Sequence, residues 1–153
     1  MKKKKDKFKV KQQKFKLPLE IVFLGEEGCH LFCNGRVGSK KVRILIDTGA
    51  SKSVLAAAFV DKMKKPNFIE MIDNQTAGIG KDQVEARFIR LKKMKLGKLE
   101  IKNHIVGTID VSHVKQVYDS IGVKPFDLIL GGDILEERRA EINYKKSELI
   151  LFG

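Results

Sequence analysis

The sequence predicts a mainly β fold: a closed antiparallel barrel with two or three short helices. Three observations carry this expectation. The apolar segments are short and are separated by Gly-, Asn- and Lys-containing turns. Most connections between them are too short for the crossover that a parallel pair of strands needs. At 153 residues and 42% hydrophobic content, the chain fits one domain with a real core.

The elements follow in order. Residues 1–16 hold nine Lys and one Asp, a net +8 out of +12 for the chain. They read as a flexible basic arm, with the folded domain at 17–153. Contact of this arm with nucleic acid or an anionic surface would run on phosphate pairing and counterion release. A solubilising tail is the preferred reading, because no aromatic stacking set accompanies the lysines. Leu19–Leu24 is a strand, Glu26-Glu27-Gly28 a turn, and Cys29–Cys33 a returning strand. Asn34-Gly35 signals a hairpin turn. A loop at Gly38–Lys41 leads into a buried strand at Val42–Ile46. Ser51 or Ser53 caps a helix through Met63, which ends before Pro66.

Phe68–Ile72 is a further strand, Gly78-Ile79-Gly80 the tip of a hairpin, and Val84–Leu91 a half-buried strand. Met94–Leu99 and Ile101–Ile109 are strands around turns at Gly97 and Asn103. Ser112–Ile121 reads as a helix because Val114, Val117 and Ile121 are spaced three and four apart. Leu128–Leu130 is a buried strand running into Gly131-Gly132. Asp133–Arg139 is a short helix, and Glu141–Tyr144 with Glu148–Phe152 forms a closing hairpin.

Several function classes are excluded. No apolar run approaches the ~20 residues that span a bilayer. Asp6 and the lysines interrupt any signal-peptide h-region, and Glu20 interrupts the next apolar stretch. Cys29 and Cys33, on one extended strand, would stand ~13 Å apart, too far for a disulfide. A reducing, cytoplasmic setting is the expectation. No cofactor is expected. A Cys29-His30-Cys33 metal site lacks a fourth ligand and matches no zinc spacing. A cysteine protease is no better supported, because no third group orients the histidine.

The chemistry concentrates in Val42-Arg43-Ile44-Leu45-Ile46-Asp47-Thr48-Gly49-Ala50-Ser51. An apolar strand delivers a carboxylate into a tight turn, where Gly49 permits close backbone approach and Thr48 can donate and accept hydrogen bonds. Alone, Asp-Thr-Gly is a weak motif, and an Asx-turn at Asp47 accounts for it. Its context is more specific: the glycine-tipped hairpin at Gly78–Gly80 and the late run Leu128-Ile129-Leu130-Gly131-Gly132-Asp133-Ile134-Leu135.

In that order and spacing, residues 17–153 resemble the retropepsin-like aspartic proteases, of cellular or bacterial type. The resemblance implies a closed acid-protease barrel and peptide hydrolysis by an activated water. Asp47, Thr48 and Gly49 would form the catalytic turn. Ala50, Gly78, Ile79 and Gly80 would contact substrate, Ile79 at the tip of a covering flap. With one Asp-Thr-Gly in 153 residues, the second carboxylate would come from the same residue of a second copy, in a homodimer. The resemblance also implies that Leu149–Phe152 pairs with the partner copy in a shared sheet; a strand of the chain's own sheet is the alternative.

Two departures matter. Viral members carry an acid and an Arg where Ser51 and Gly132 stand here, so both partners of that ion pair are absent together. Ala50 supplies no hydroxyl to the carboxylate, which favours the neutral acid and implies a mildly acidic optimum. The competing reading is an inactive domain of the same fold that binds peptide or a partner protein without cutting.

Overall fold

The computed structural model describes residues 12–70 and 87–153. The expected hairpin tip at Gly78-Ile79-Gly80, the start of the Val84–Leu91 strand and most of the basic arm lie outside these residues. The strands are β1 (Lys14–Pro18), β2 (Glu20–Phe23), β3 (Cys29–Val37), β4 (Lys40–Ile46), β5 (Val54–Ala56), β6 (Phe68–Ile69), β7 (Arg87–Leu96), β8 (Leu99–Ile109), β9 (Leu128–Leu130), β10 (Glu141–Asn143) and β11 (Glu148–Phe152). The helices are α1 (Ala57–Val60), α2 (Ser112–Ser120) and α3 (Gly132–Glu137).

Six strands close a barrel in the order β3-β4-β9-β5-β8-β7, with β7 returning to β3 through Arg36–Lys95 and Val37–Met94. The expectation of a closed, mainly β barrel with two or three short helices holds, with three helices among the described residues. Its ladder is mixed, however: β4 runs parallel to β9, and β5 parallel to β8. Long stretches of chain separate the members of each parallel pair, so connection length between neighbours in sequence could not reveal them.

Alternation fills the barrel. Along β4, Val42, Ile44 and Ile46 are buried while Arg43 and Leu45 are half-buried. Leu55, Ile89, Leu91, Met94, Leu96, Val106, Leu128 and Leu130 complete the interior. Each such side chain stabilises the fold by ~1.5–3 kcal/mol on burial. A second apolar cluster lies on the outer face, where Phe32, Tyr118, Val123 and Phe126 pack together.

Four local expectations are corrected. Asn34-Gly35 is not a turn but lies inside β3, and the chain reverses at Gly38-Ser39. Gly35 is required for another reason: a Cβ there would sit 2.7 Å from the Lys95 carbonyl and 2.8 Å from Ile44 Cδ1. Residues 53–63 are not one helix. Val54–Ala56 pairs with β8 and β9, and only Ala57–Val60 is helical. Asn103 is not a turn either; it takes φ 54° inside β8, where pairing steps from Leu91–His104 to Lys93–Lys102.

The fourth concerns the termini. β11 is the middle strand of a three-stranded sheet, paired to β1 on one side and β10 on the other. Both its edges are thus engaged within the chain, not with a partner copy. Lys14–Lys16, read from charge as part of the arm, supplies three of the five residues of β1. Lys14 and Lys16 point outward while Leu17 is buried.

Candidate active site

The parallel pair β4–β9 builds the site. Ile44, Leu45 and Ile46 stand beside Leu128, Ile129 and Leu130, so the two strands end together. β4 leaves the barrel at Asp47, whose N–H donates to the Leu130 carbonyl at 3.1 Å. The Gly49 N–H turns back onto Asp47 Oδ1 at 2.9 Å, and the Ala50 N–H reaches the Asp47 carbonyl at 3.3 Å. Asp47 is therefore held half-buried at the mouth of a tight turn, while Thr48 and Gly49 are exposed and Ala50 is half-buried.

The turn is locked against the end of β9. The Gly132 N–H donates to the Ala50 carbonyl at 2.7 Å and the Asp133 N–H to the Ser51 carbonyl at 3.1 Å. Gly131 admits nothing larger: a Cβ would lie 2.7 Å from the Ala50 carbonyl and 2.8 Å from the Lys52 carbonyl. The residues quoted from the two ends of the sequence, Asp47–Ser51 and Leu128–Ile134, thus meet.

A polar clamp completes this junction. Fully buried Ser53 donates its hydroxyl to Asp133 Oδ1 at 2.6 Å and its N–H to the same oxygen at 2.9 Å. Ser53 Oγ in turn accepts the Gly131 N–H at 2.9 Å. His104 Nε2 lies 3.0 Å from Asp133 Oδ2, and Lys52 Nζ 3.8 Å from it. Burial pushes the Asp133 carboxyl up, but hydrogen bonds from Ser53, His104 and the Ile134 backbone together hold it below its ordinary value. In the sequence, Ser53 reads as a candidate helix cap, Asp133 as part of the late glycine run and its short helix, and His104 belongs to no motif. Ser53 lies 80 positions from Asp133 and His104 29, and only the fold brings them together.

The other singled-out residues fall as follows. Gly78, Ile79 and Gly80 lie outside the described residues. Cys29 and Cys33 both lie on β3, and burial pushes the Cys33 thiol up to about 12. His30 Nδ1 meets the Tyr118 hydroxyl at 2.6 Å. Among the described residues no group of three His, Cys, Asp or Glu side chains could hold a metal ion, and no helix is long and apolar enough to cross a membrane.

Comparison with known proteins agrees with this geometry. The aspartyl protease family profile matches residues 33–134, about two thirds of the chain. Protein DDI1 homolog 2 of Mus musculus is 23% identical over 121 residues, covering 79% of this chain and 27% of that protein. Protein DDI1 homolog 1 of Homo sapiens is 22% identical over the same length. The chain thus spans about a quarter of the length of these relatives. A retropepsin-like aspartic protease from Rickettsia conorii superposes with a TM-score of 0.53 at 21% identity, covering 95% of this chain and 96% of that one. The retroviral protease-like domain of Ddi1 from Leishmania major superposes with a TM-score of 0.52 at 17% identity, covering 81% and 94%. With barrel, turn and family profile in agreement, the chain belongs to the retropepsin-like aspartyl protease family.

Proposed function

We propose that the chain is an aspartic endopeptidase that acts as a homodimer, with Asp47 of each copy supplying one of two catalytic carboxylates. The observation that supports this best is the single Asp-Thr-Gly turn, with its carboxylate held by the Gly49 N–H. Asp119-Ser120-Ile121-Gly122 lacks the Asp-Thr-Gly spacing; Asp119 lies in α2, where its carboxylate pairs with Lys115 at 2.6 Å. A second copy related by a two-fold axis would bring an identical turn to the first. Thr48 and Gly49, exposed in the single chain, are the residues that such an approach would cover.

The chemistry follows from pairing two acids. Two carboxyls sharing one site cannot both ionise cheaply, so they hold one proton between them and titrate as a pair; aspartic proteases are the established example. The ionised member takes a proton from water, and the neutral member polarises the peptide carbonyl. Gly49 and Ala50 would hold the substrate backbone, and Gly78, Ile79 and Gly80 would cover it and exclude water. Substrates are extended peptides with apolar side chains beside the scissile bond, bound as a strand.

The purified protein should cleave an unstructured substrate such as casein at mildly acidic pH, and a statine-type inhibitor should block it. Asp47→Asn should lower the rate at least about a hundredfold while leaving circular dichroism unchanged. Equal silence of both proteins across pH, with retained peptide binding, would favour the binding-module reading.

A further inference from the structure

The outer face of the barrel carries an assembly beside Asp47 that the proposed chemistry leaves unused. Residues two apart on a strand share a face, so Arg43, Leu45 and Asp47 follow one another along the outside of β4. Leu45 is flanked by Phe32 on β3 and Ile129 on β9. The β3–β4 ladder ends at the Leu31–Ile46 pair, and His30 and Asp47 are the next residues at that same end of the two strands. α2 lays Tyr118 over this ground, with ring centroids 5.8 Å from His30, 6.3 Å from Phe32 and 5.8 Å from Phe126. The Arg43 guanidinium closes the far end, 4.1 Å over the Phe32 ring. Phe32 and Tyr118 are buried, whereas Leu45, Ile129 and His30 remain half-buried. Burial raises the Tyr118 hydroxyl above its ordinary value; the Arg43 charge opposes this and the Asp47 charge, a smaller effect, adds to it.

We propose that Tyr118, held by His30, is the back wall of the side-chain subsite beside Asp47 and restricts it to small and medium aliphatic side chains. The proposal rests on Asp47 being the reacting carboxylate. A substrate side chain next to the scissile bond stands on the exposed parts of Leu45 and Ile129, an apolar floor. The depth beyond that floor is filled by the Tyr118 ring, which its hydrogen bond to His30 keeps in place. Alanine, valine and leucine fit above the floor. A phenylalanine needs 150–250 Å² of burial to contribute fully, and the ring denies it that depth.

The test uses one peptide series, differing only in Ala, Leu or Phe beside the scissile bond. The wild type should favour Leu over Phe in kcat/KM. Tyr118→Ala should raise the Phe-to-Leu ratio at least roughly tenfold, the scale at which even one methylene discriminates in an apolar pocket. Removing a buried ring also destabilises, so the half-buried Ile129→Ala is measured in parallel; it widens the floor and should shift the ratio in the same direction. Cleavage with an unchanged ratio in both variants overturns the pocket and leaves the protease reading intact. A wild type that cuts none of the peptides overturns the protease reading, and calorimetric binding of the same series then decides the pocket. A variant-dependent Phe-to-Leu preference in binding supports it, and indifference to the side chain overturns it.

Discussion

At the scale of single residues, the position of Asp47 depends on a junction more than on its own turn. Ser53 satisfies Asp133 twice and Gly131 once. Ser53→Ala leaves the Gly131 N–H without its acceptor and removes one donor from a carboxylate. Such a change costs about 1–3 kcal/mol, measurable as a lower midpoint in urea. Because Ser53 follows the Asp47 turn directly, activity should fall beyond what stability explains. Asp133 adds a pH dependence with a definite sign. Its folded-state value lies below its ordinary one, so its contribution is complete above the unfolded value of ~3.9 and is lost as pH falls through the folded value. Thermal melts of the wild type should therefore steepen their decline below about pH 4, and Asp133→Asn should flatten that part of the profile.

This clamp shows what the sequence left hidden. Asp47, Thr48 and Gly49 stood out because a strand, an acid and a glycine are adjacent in the chain. Ser53, His104 and Asp133 are chemically common and mutually distant, so no local pattern links them. Their connection exists only once β9 runs beside β4 and β8 beside β5.

At the scale of elements, periodicity located segments better than it located faces. α2 was expected from Val114, Val117 and Ile121, yet these are 37%, 49% and 52% exposed. The helix instead turns Tyr118 inward, since one aromatic ring buries more area than the small aliphatic stripe and finds a partner in His30. A single helix was expected from a cap at Ser51 or Ser53 through Met63. Val54–Ala56 became a strand because the barrel offers it pairing on both sides, and tertiary context overrides propensity. Asn34-Gly35 misled for a related reason: glycine also serves where two chains nearly touch. Gly35→Ala should destabilise by about 1–3 kcal/mol, the usual cost of overpacking, read by denaturant midpoint. A tolerated Gly35→Ala would contradict the close crossing of β3 and β7.

At the scale of the whole molecule, the barrel was legible from the short strands, and the family from the spacing between the Asp47 turn and the Gly131 run. The route to self-association was less so. β11, expected to be shared between copies, is enclosed by β1 and β10 within one chain. The homodimer proposed above would therefore need other surfaces, with the exposed Thr48–Gly49 turn at its centre. The lysines of the first sixteen residues pointed to an arm, yet the last of them are part of that enclosing strand. Charge marks solvent-facing positions, not the absence of structure.

The central claim is that two copies of Asp47 make one catalytic centre. Asp47→Asn protein, mixed into wild type at constant total concentration and allowed to exchange, tests it most directly. Mixed dimers hold only one carboxylate, so hydrolysis should fall as the square of the wild-type fraction. A strictly linear decline would show that each chain cuts on its own, and would contradict the account.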